Sequence, residues 1–458
     1  MVITYTGLYA PALSYGQPGL PSNTSPVPVH YFQTKYGGTF PADLLSNYTF
    51  AGVSAYFSSS AYKGSSFQKL INAWLNDSYI SPKDVFNGAF MLSEWTQDQR
   101  ITLVPNPYYT NLAPDASHPR LAKLQFLAVS DSEAALTQAL QASDTYNSLD
   151  KAEDFQLTDL ASLYKSKYNI TLPAALSYEH LEINQAAPGN PALKDVRVRQ
   201  AVYYAINKQA YLTAEFPALK DWKSIALTSP LPSVSPWSIN SQLPANPYDP
   251  AKAKSLLAAA GYATSLGGSG KHLSLTLTTS NNATRIRSAQ LLQRIWGQVG
   301  ISIKIRYVPA YGSNGNGLFD SYQDGGVLSR HAFDITEFAF GTNVDPDQAV
   351  QNYLPNQIAN ASTPGGVNYI QVQDPTLVKF FTDARVTLDD AKRKADYAGY
   401  QNYMLGKAYV ISLYNRPNII AYKGTIGNFK PNSTQAGNEW NAYQWWADPT
   451  GSQKALFS

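Results

Sequence analysis

Two carboxylates separated by one proline are the first residues in this sequence whose spacing could support chemistry. Asp345 and Asp347 flank Pro346. Paired carboxylates can hydrolyse a glycosidic bond or hold Ca2+. The same pair can instead cap a helix where a loop enters it, near Gln348 to Tyr353, and the local pattern favours this interpretation. A carbohydrate-active hydrolase that uses Asp345 and Asp347 is therefore kept as an alternative hypothesis.

The sequence contains no motif for other kinds of catalysis. The chain has no cysteine, which excludes disulfides, thiolate zinc sites and a cysteine nucleophile. It contains neither a nucleophile elbow nor a phosphate-binding loop. No two of the histidines stand at a metal-ligand spacing; they are His30, His118, His180, His272 and His331. We therefore predict no catalytic residue, no metal and no cofactor.

The composition favours a binding surface that does not rely on charge. Charged residues make up 15% of the chain, against about 25% in ordinary soluble domains. The net charge of +3 does not indicate the basic surface that nucleic-acid binding requires. Aromatic residues are abundant, with 32 Tyr and 8 Trp. Trp222 and Trp237 lie in a segment without helix or strand periodicity, so we predict that they stack on a ligand.

Hydrophobic periodicity predicts the elements that position these residues. The strongest helix begins at Asp195 and places Val198, Val202 and Ile206 on one face, with its two arginines directed away from that face. A second helix has Asp249 as its cap and ends before a glycine. Further helices are predicted over 67–75, 132–140, 157–164 and 375–406, and a hairpin over 88–104.

Residues 272–308 give the clearest evidence for the fold class. Alternating leucines predict a strand, residues 284–299 have helical periodicity, and Gly300 stops that helix before a second alternating segment. A strand, helix and strand in this order form a unit whose strands are parallel. A further strand is predicted over 333–340, running into the loop that holds Asp345. The fold class is therefore α/β, or a mixed sheet with helices packed on it.

Several segments, in the right order along the chain, resemble the family 5 extracellular solute-binding proteins, which are the receptors of peptide-type ABC importers. The most specific is DVRVRQA at 195–201, followed by AINK, which is similar to the family's DVRVRQAL and AIDR. The others are YDPAKAK with AGY at 248–262, GAFMLSEW with NPYY at 88–109, the helix and strand over 284–305, and FDI with DPD at 333–347.

This resemblance implies a two-lobed fold of the periplasmic-binding-protein type II class. Residues 1–121 and 411–458 would belong to lobe one, and residues 122–410 would form lobe two. The ligand, a peptide or an oligosaccharide, would bridge the lobes, and the closed form would dock on a membrane ABC permease. We expect a monomer at the extracellular face of the membrane or in the periplasm, with no nucleic-acid partner. A cell-surface protein without a transport role is the third possibility.

The resemblance also places the ligand site at the end of the strand over 333–340. Peptide-binding relatives have an aspartate four residues before the proline of the DP motif, where it pairs with the ligand's α-amino group. Thr342 stands here instead, which favours hydroxyl-rich or amide ligands, although a shift of the alignment would bring in Asp345. The predicted ligand contacts are Phe338, Phe340, Gly341, Thr342, Asn343, Trp222, Trp237 and Tyr414.

A second departure from the family concerns the start of the chain. The residues Val2 to Tyr5 are similar to a strand well inside the first lobe, and no export signal precedes them. The sequence therefore predicts that about the first third of a family member is absent. A lobe that lacks strands exposes sheet edges, so we expect this chain to be less stable than a complete receptor.

Overall fold

A computed structural model describes residues 62–69, 88–96, 99–107, 109, 120–127, 148–150, 169–171, 174–312, 315–417, 420–422, 426–430 and 439–447. The helix predicted over 67–75 is helical at 66–69, and the rest of it lies outside the described residues. The helices predicted over 132–140 and 157–164, and the strand-like segment at 2–5, also lie outside them. No helix in the described part of the chain is both long and apolar enough to cross a membrane.

The strands of the described residues are β1 (Phe90–Thr96), β2 (Arg100–Pro105), β3 (Leu124–Leu127), β4 (Ser148–Asp150), β5 (Asn169–Thr171), β6 (Ala174–Ile183), β7 (Leu273–Ser280), β8 (Ile301–Val308), β9 (Ile335–Gly341), β10 (Val410–Pro417), β11 (Ile420–Tyr422), β12 (Ile426–Gly427) and β13 (Trp446–Ala447). The α-helices are α1 (Val196–Tyr204), α2 (Lys208–Glu215), α3 (Pro250–Ala259), α4 (Ala283–Gly297), α5 (Asp347–Gln351), α6 (Pro375–Val386) and α7 (Asp390–Lys407).

The described residues fall into two compact units. The first holds those between 135 and 424 together with 430, 439 and 440, and the second holds those between 62 and 134 together with 426–429 and 441–447. Strand β10 pairs with β6 in the first unit, across the predicted boundary at 410/411. The predicted domain boundaries themselves stay predictions.

The second unit contains the predicted hairpin. Strands β1 and β2 pair antiparallel from Phe90 with Pro105 to Thr96 with Arg100, and β3 extends this sheet. Asn106 follows β2 and donates from its side chain to the carbonyl of Gly88 at 2.9 Å, which fixes the end of the hairpin. Strands β12 and β13 form a separate pair.

The first unit is built on a five-stranded sheet of order β10-β6-β9-β7-β8. Strand β7, helix α4 and strand β8 form the predicted unit, and its two strands are parallel from Leu273 with Ile301 to Ser280 with Val308. Strand β9 is parallel to β7 and antiparallel to β6. Strand β11 pairs with β4 and β5 in a smaller sheet of the same unit.

Both faces of the five-stranded sheet are buried. One face, here called the α4 face, carries Leu181, Leu277 and Ile335 against a core that also includes residues of α1–α4. The opposite face, here called the α7 face, carries Phe338 and Val410 against residues of α5–α7 and the loop after β8. Burial is less complete at the edge strand β8, whose Ser302 and Lys304 are exposed, in keeping with its alternating sequence.

Two helices differ in detail from what the sequence alone showed. Arg199 of α1 is buried and donates to the carbonyls of Lys407, Leu193 and Lys194. The predicted helix over 375–406 is two helices, because Thr387 is extended and Asp389 caps α7 by accepting the amide of Lys392 at 2.9 Å. The sequence pattern did not show this break, because both helices bury an apolar face against the same core.

The two glycines that end α3 and α4 provide a matched test of helix termination. Gly300 has φ +93°, and a Cβ there would lie 2.5 Å from the amide nitrogen of Ser265, whereas Gly261 has φ +84° and open space. We expect Gly261→Ala to cost about 1–2 kcal/mol from strain alone, and Gly300→Ala to cost about 1–3 kcal/mol more from the clash. Urea unfolding of both variants measures this difference; equal costs would contradict it.

Candidate functional site

Strand β9 is paired along its whole length on one side and along only its first half on the other. Strand β6 pairs with it from Ile335 to Gly341, but β7 pairs with it only from Ile335 to Glu337. Among the described residues, no strand continues the pairing on the β7 side beyond Glu337. Within the described part of the chain, the outer half of β9 therefore has a free edge, here called the β9 edge.

The direction of the backbone groups shows which amides lie at the β9 edge. Thr342 donates its amide to the carbonyl of Leu176, on the β6 side, at 2.7 Å, and the carbonyl of Glu337 accepts from the Thr279 hydroxyl, on the β7 side, at 2.9 Å. Because backbone groups alternate along a strand, the N–H and C=O of Ala339 and Gly341 point away from β6. Gly341 is exposed and Ala339 is half-buried.

Phe338 and Phe340 lie on the α7 face, beside the β9 edge. Phe338 is 1% exposed, and Phe340 is half-buried. The ring of Phe340 is stacked on His180, with centroids 5.2 Å apart, and on Tyr369 at 6.1 Å. Phe340 therefore already has two stacking partners within the chain, which sequence reasoning did not find because both come from distant segments.

Thr342 and Asn343 follow directly after β9. The side chain of Thr342 is buried, and its hydroxyl lies 3.5 Å from the carbonyl of Asn343. Asn343 is half-buried. The main chain of this segment is fixed by the Thr342 amide, so the five predicted residues from Phe338 to Asn343 lie together at one end of the sheet.

The other three predicted residues contact other parts of the first unit, although Tyr414 also lies near Glu337 of β9. Tyr414 lies on β10, is buried, and packs edge-on against Phe216 with ring centroids 5.1 Å apart. Trp222 packs on the core of the α4 face. Trp237 is 38% exposed and lies near Arg393 and Tyr397 of α7. A contact of these residues with a ligand stays a prediction.

Asp345 and Asp347 are engaged in structural contacts. Both are buried; Asp345 accepts two hydrogen bonds from Arg393 at 2.8 and 2.9 Å, and Asp347 lies 3.1 Å from Arg385. Asp345 also accepts the amide of Asp347 at 3.0 Å, at the start of α5. Asp345 thus contacts the start of the helix as the capping prediction expected, whereas Asp347 forms an ion pair. The geometry does not favour the hydrolase alternative, nor Asp345 as an anchor for a ligand's amino group.

A cluster of ionisable side chains is buried on the α4 face below the β9 edge. Glu179 of β6 accepts from Arg285 of α4 at 2.8 Å. Glu337 of β9 accepts from the Ser288 hydroxyl, which also contacts the Tyr211 hydroxyl at 2.7 Å. Burial, and then repulsion from Glu179, raise the pKa of Glu337 to about 8. Burial and the neighbouring Glu179 thus favour the protonated form of Glu337, although the sequence showed it only as one residue of a strand.

A third carboxyl group, Glu215 of α2, belongs to the same cluster. Burial raises the pKa of Glu215 to about 7, although Arg287 lies 3.1 Å away and opposes the shift. The Arg287 side chain is 43% exposed, so solvent weakens its attraction while the carboxyl group remains desolvated. Burial therefore outweighs the attraction of Arg287 at Glu215. Two of the three carboxyl groups in the cluster, Glu215 and Glu337, have raised pKa values.

The described residues contain no group of three or more His, Cys, Asp or Glu side chains that could hold a metal ion. On the α7 face, the buried polar groups contact one another. Glu182 accepts from the Tyr353 hydroxyl at 3.0 Å and lies 3.5 Å from His180. The side chains of Glu182 and His180 are both fully buried.

Comparison with known proteins assigns the family. The family model described as bacterial extracellular solute-binding proteins, family 5 Middle, matches residues 32–361 of this chain. The chain belongs to the family 5 bacterial extracellular solute-binding proteins. The predicted family is therefore confirmed. Within this family, the chain is 26% identical over 333 residues to the di/tripeptide-binding protein 1 of Pseudomonas aeruginosa, covering 71% of this chain and 54% of that protein. The chain thus spans about half the length of the curated relatives it matches.

Solved structures confirm the predicted fold. The ABC transporter substrate-binding protein CtaP of Listeria monocytogenes is similar with a TM-score of 0.61 and 19% identity, over 79% of this chain and 66% of that chain. The periplasmic murein tripeptide-binding protein MppA, in its unliganded open form, is similar with a TM-score of 0.59 and 20% identity, over 75% and 60%. Family 5 solute-binding proteins thus share the α/β fold described above.

Proposed function

We propose that this chain is the solute-binding receptor of a peptide-type ABC importer, and that it binds a peptide. Membership of the family and the peptide-binding relative from Pseudomonas aeruginosa support the proposal. The proposal includes a membrane permease as partner, an extracellular or periplasmic location, a monomeric state and no catalytic step.

The observation that carries the choice of a peptide is the β9 edge. A peptide in extended conformation can add to a free sheet edge as a further strand, through hydrogen bonds between main chains. Ala339 and Gly341 present their N–H and C=O groups two residues apart, which matches the repeat of an extended peptide. An oligosaccharide has no such repeat, so the edge favours the peptide over the oligosaccharide.

The same geometry bears on how the peptide's amino group is held. The Thr342 side chain is buried and the Asp345 carboxylate is bound to Arg393, so neither is placed to pair with an ammonium group. We therefore expect main-chain contacts at the β9 edge to dominate, and N-acetylation of the peptide to change its affinity little. Saturable binding restricted to peptides with a free amino group would contradict this part of the proposal.

Substitutions at Gly341 test the β9 edge. Gly341→Pro removes the N–H that we place against the ligand, and this N–H does not take part in pairing with β6. Loss of a main-chain hydrogen bond costs about 1 kcal/mol, so we expect affinity for a tripeptide to weaken at least about fivefold. Titration calorimetry with trialanine measures the effect.

Gly341→Ala is the matched control. A Cβ at this position would have no atom within 4 Å, and the N–H is kept, so trialanine should bind as it does to the unchanged chain. Circular dichroism spectra of both variants confirm that the fold is intact. Equal affinity of the proline and alanine variants would show that the β9 edge does not contact the peptide.

A further inference from the structure

A row of aromatic rings leads from solvent to β9 on the α7 face. Tyr311 lies 5.8 Å from Phe319 between ring centroids, Phe319 lies 6.0 Å from Phe338, and Phe338 lies 4.9 Å from Phe340. Burial increases along the row: Tyr311 is 74% exposed, Phe319 is half-buried and Phe338 is 1% exposed. The rings therefore form a continuous row of contacts that runs from the buried Phe338 to Tyr311, whose ring is open to solvent.

The outer part of this row belongs to the loop after β8, and local hydrogen bonds fix its shape. The Asp320 carboxylate accepts the amides of Gly312 and Gly317 at 3.1 and 2.7 Å. Leu318 is fully buried and donates its amide to the carbonyl of Pro309 at 2.8 Å. Tyr311 and Phe319 are thus held on either side of a turn that is anchored in the core.

The aromatic row and the β9 edge meet at the same residues. A strand bound at the β9 edge would direct alternate side chains to the α7 face, where Phe338 and Phe340 lie and where the row begins. None of the four rings carries a charge, and the two carboxylates that order the loop already have partners: Asp320 accepts two amides, and Asp324 accepts from the Ser321 hydroxyl. A charged ligand side chain would be desolvated here without a partner, whereas an aromatic ring gains ring contacts.

We propose that the receptor selects peptides that carry an aromatic or large aliphatic side chain directed to the α7 face, where it packs on Phe319 and Tyr311. This inference rests on the proposed function, because it requires a peptide at the β9 edge. It assigns Tyr311 as a specificity-determining residue. A single exposed aromatic ring such as Tyr311 would need no explanation in itself. Here, however, the exposed ring ends a row that begins at a free strand edge.

Tripeptides test the proposal. Trialanine is compared with peptides in which Phe, Leu, Lys or Glu replaces one alanine, at each of the three positions in turn, by titration calorimetry against the unchanged chain, Tyr311→Ala and Tyr311→Phe. We expect Phe and Leu to bind about tenfold more tightly than Lys or Glu, and only at alternate positions. Tyr311→Ala should reduce this preference severalfold, while Tyr311→Phe should keep it because the ring remains.

The outcomes separate this inference from the proposed function. Binding of every tripeptide with the same affinity leaves the peptide receptor standing and overturns the selectivity. A preference for Phe that Tyr311→Ala leaves unchanged also overturns the role of Tyr311. Absence of binding for trialanine and all of its variants overturns the proposed function itself. Because Tyr311 is largely exposed, its substitution is not expected to prevent folding, and thermal melts of both variants verify this.

Discussion

Asp345→Asn is expected to lower the free energy of unfolding of the unit that holds the five-stranded sheet by about 3–5 kcal/mol. The Asp345 side chain is fully buried and Arg393 is 7% exposed, with two hydrogen bonds between them. Removing the carboxylate charge leaves the guanidinium buried with a weaker partner. Removing one member of a buried pair costs more than the pair itself contributes, because the remaining charge is desolvated.

Urea unfolding followed by tryptophan fluorescence measures this effect. Asp383→Asn is the matched control, because its partner Lys379 is 72% exposed and exposed ion pairs contribute little. The double variant Asp345→Asn with Arg393→Met should recover much of the loss, since it leaves no buried charge. A cost for Asp345→Asn no larger than that of Asp383→Asn would contradict the structural role.

The same variant decides between the receptor and the hydrolase hypothesis. A hydrolase that used Asp345 would lose turnover in Asp345→Asn while its fold and ligand affinity were kept. The geometry predicts the opposite pattern, in which the free energy of unfolding falls because the ion pair with Arg393 is lost. Asp345 caps the start of α5 and holds α7 through Arg393, so the contribution of this residue is to the scaffold behind the β9 edge.

Much of the fold could be predicted because local signals determine it. The strands β7 and β8 show alternation, and α4 between them shows helical periodicity with a cap at Asn282 and a glycine at its end. Caps at Asp195 and Asp249 gave the starts of α1 and α3. These signals depend on residues within a few positions of one another, so the sequence alone contains them.

The site could be predicted only in part, because its features depend on contacts between distant segments. The segment from Phe338 to Asn343 was found from its resemblance to the family. The burial of Arg199 depends on a carbonyl 208 residues away, at Lys407. The β9 edge depends on where β7 stops pairing, which no local pattern of β9 records. The stacking of Phe340 on His180 and Tyr369 has the same origin.

Glu337→Gln is expected to stabilise the first unit at alkaline pH and to leave it unchanged in acid. Burial, and then Glu179, raise the pKa of Glu337 to about 8 in the folded chain, from an ordinary value of 4.5. Between these two values the folded state keeps a proton that the unfolded state has lost. Stability therefore falls as pH rises through this range, by up to about 1.4 kcal/mol per pH unit.

Glutamine removes this dependence because it is neutral in both states. Its amide oxygen can still accept from Ser288, as the Glu337 carboxyl group does. At pH 4 both forms of residue 337 are neutral, so the variant and the unchanged chain should unfold at the same urea concentration. At pH 8 the variant should be the more stable of the two, by an amount that urea unfolding at several pH values measures directly.

Glu179→Gln distinguishes the protonation of Glu337 from a general effect of removing charge from this cluster. The Arg285 side chain is 10% exposed and loses its partner in that variant, so Glu179→Gln should destabilise the unit because it leaves a buried guanidinium without its carboxylate. The groups that surround Glu337 are Glu179, Arg285, Ser288, Tyr211, Glu215, Tyr307 and Tyr414. If Glu337→Gln destabilised the unit at pH 8 as Glu179→Gln does, Glu337 would have to be ionised and paired in the folded chain. Opposite signs for the two variants would instead show that one carboxyl group balances Arg285 and that the other is held neutral beside the residues of the β9 edge.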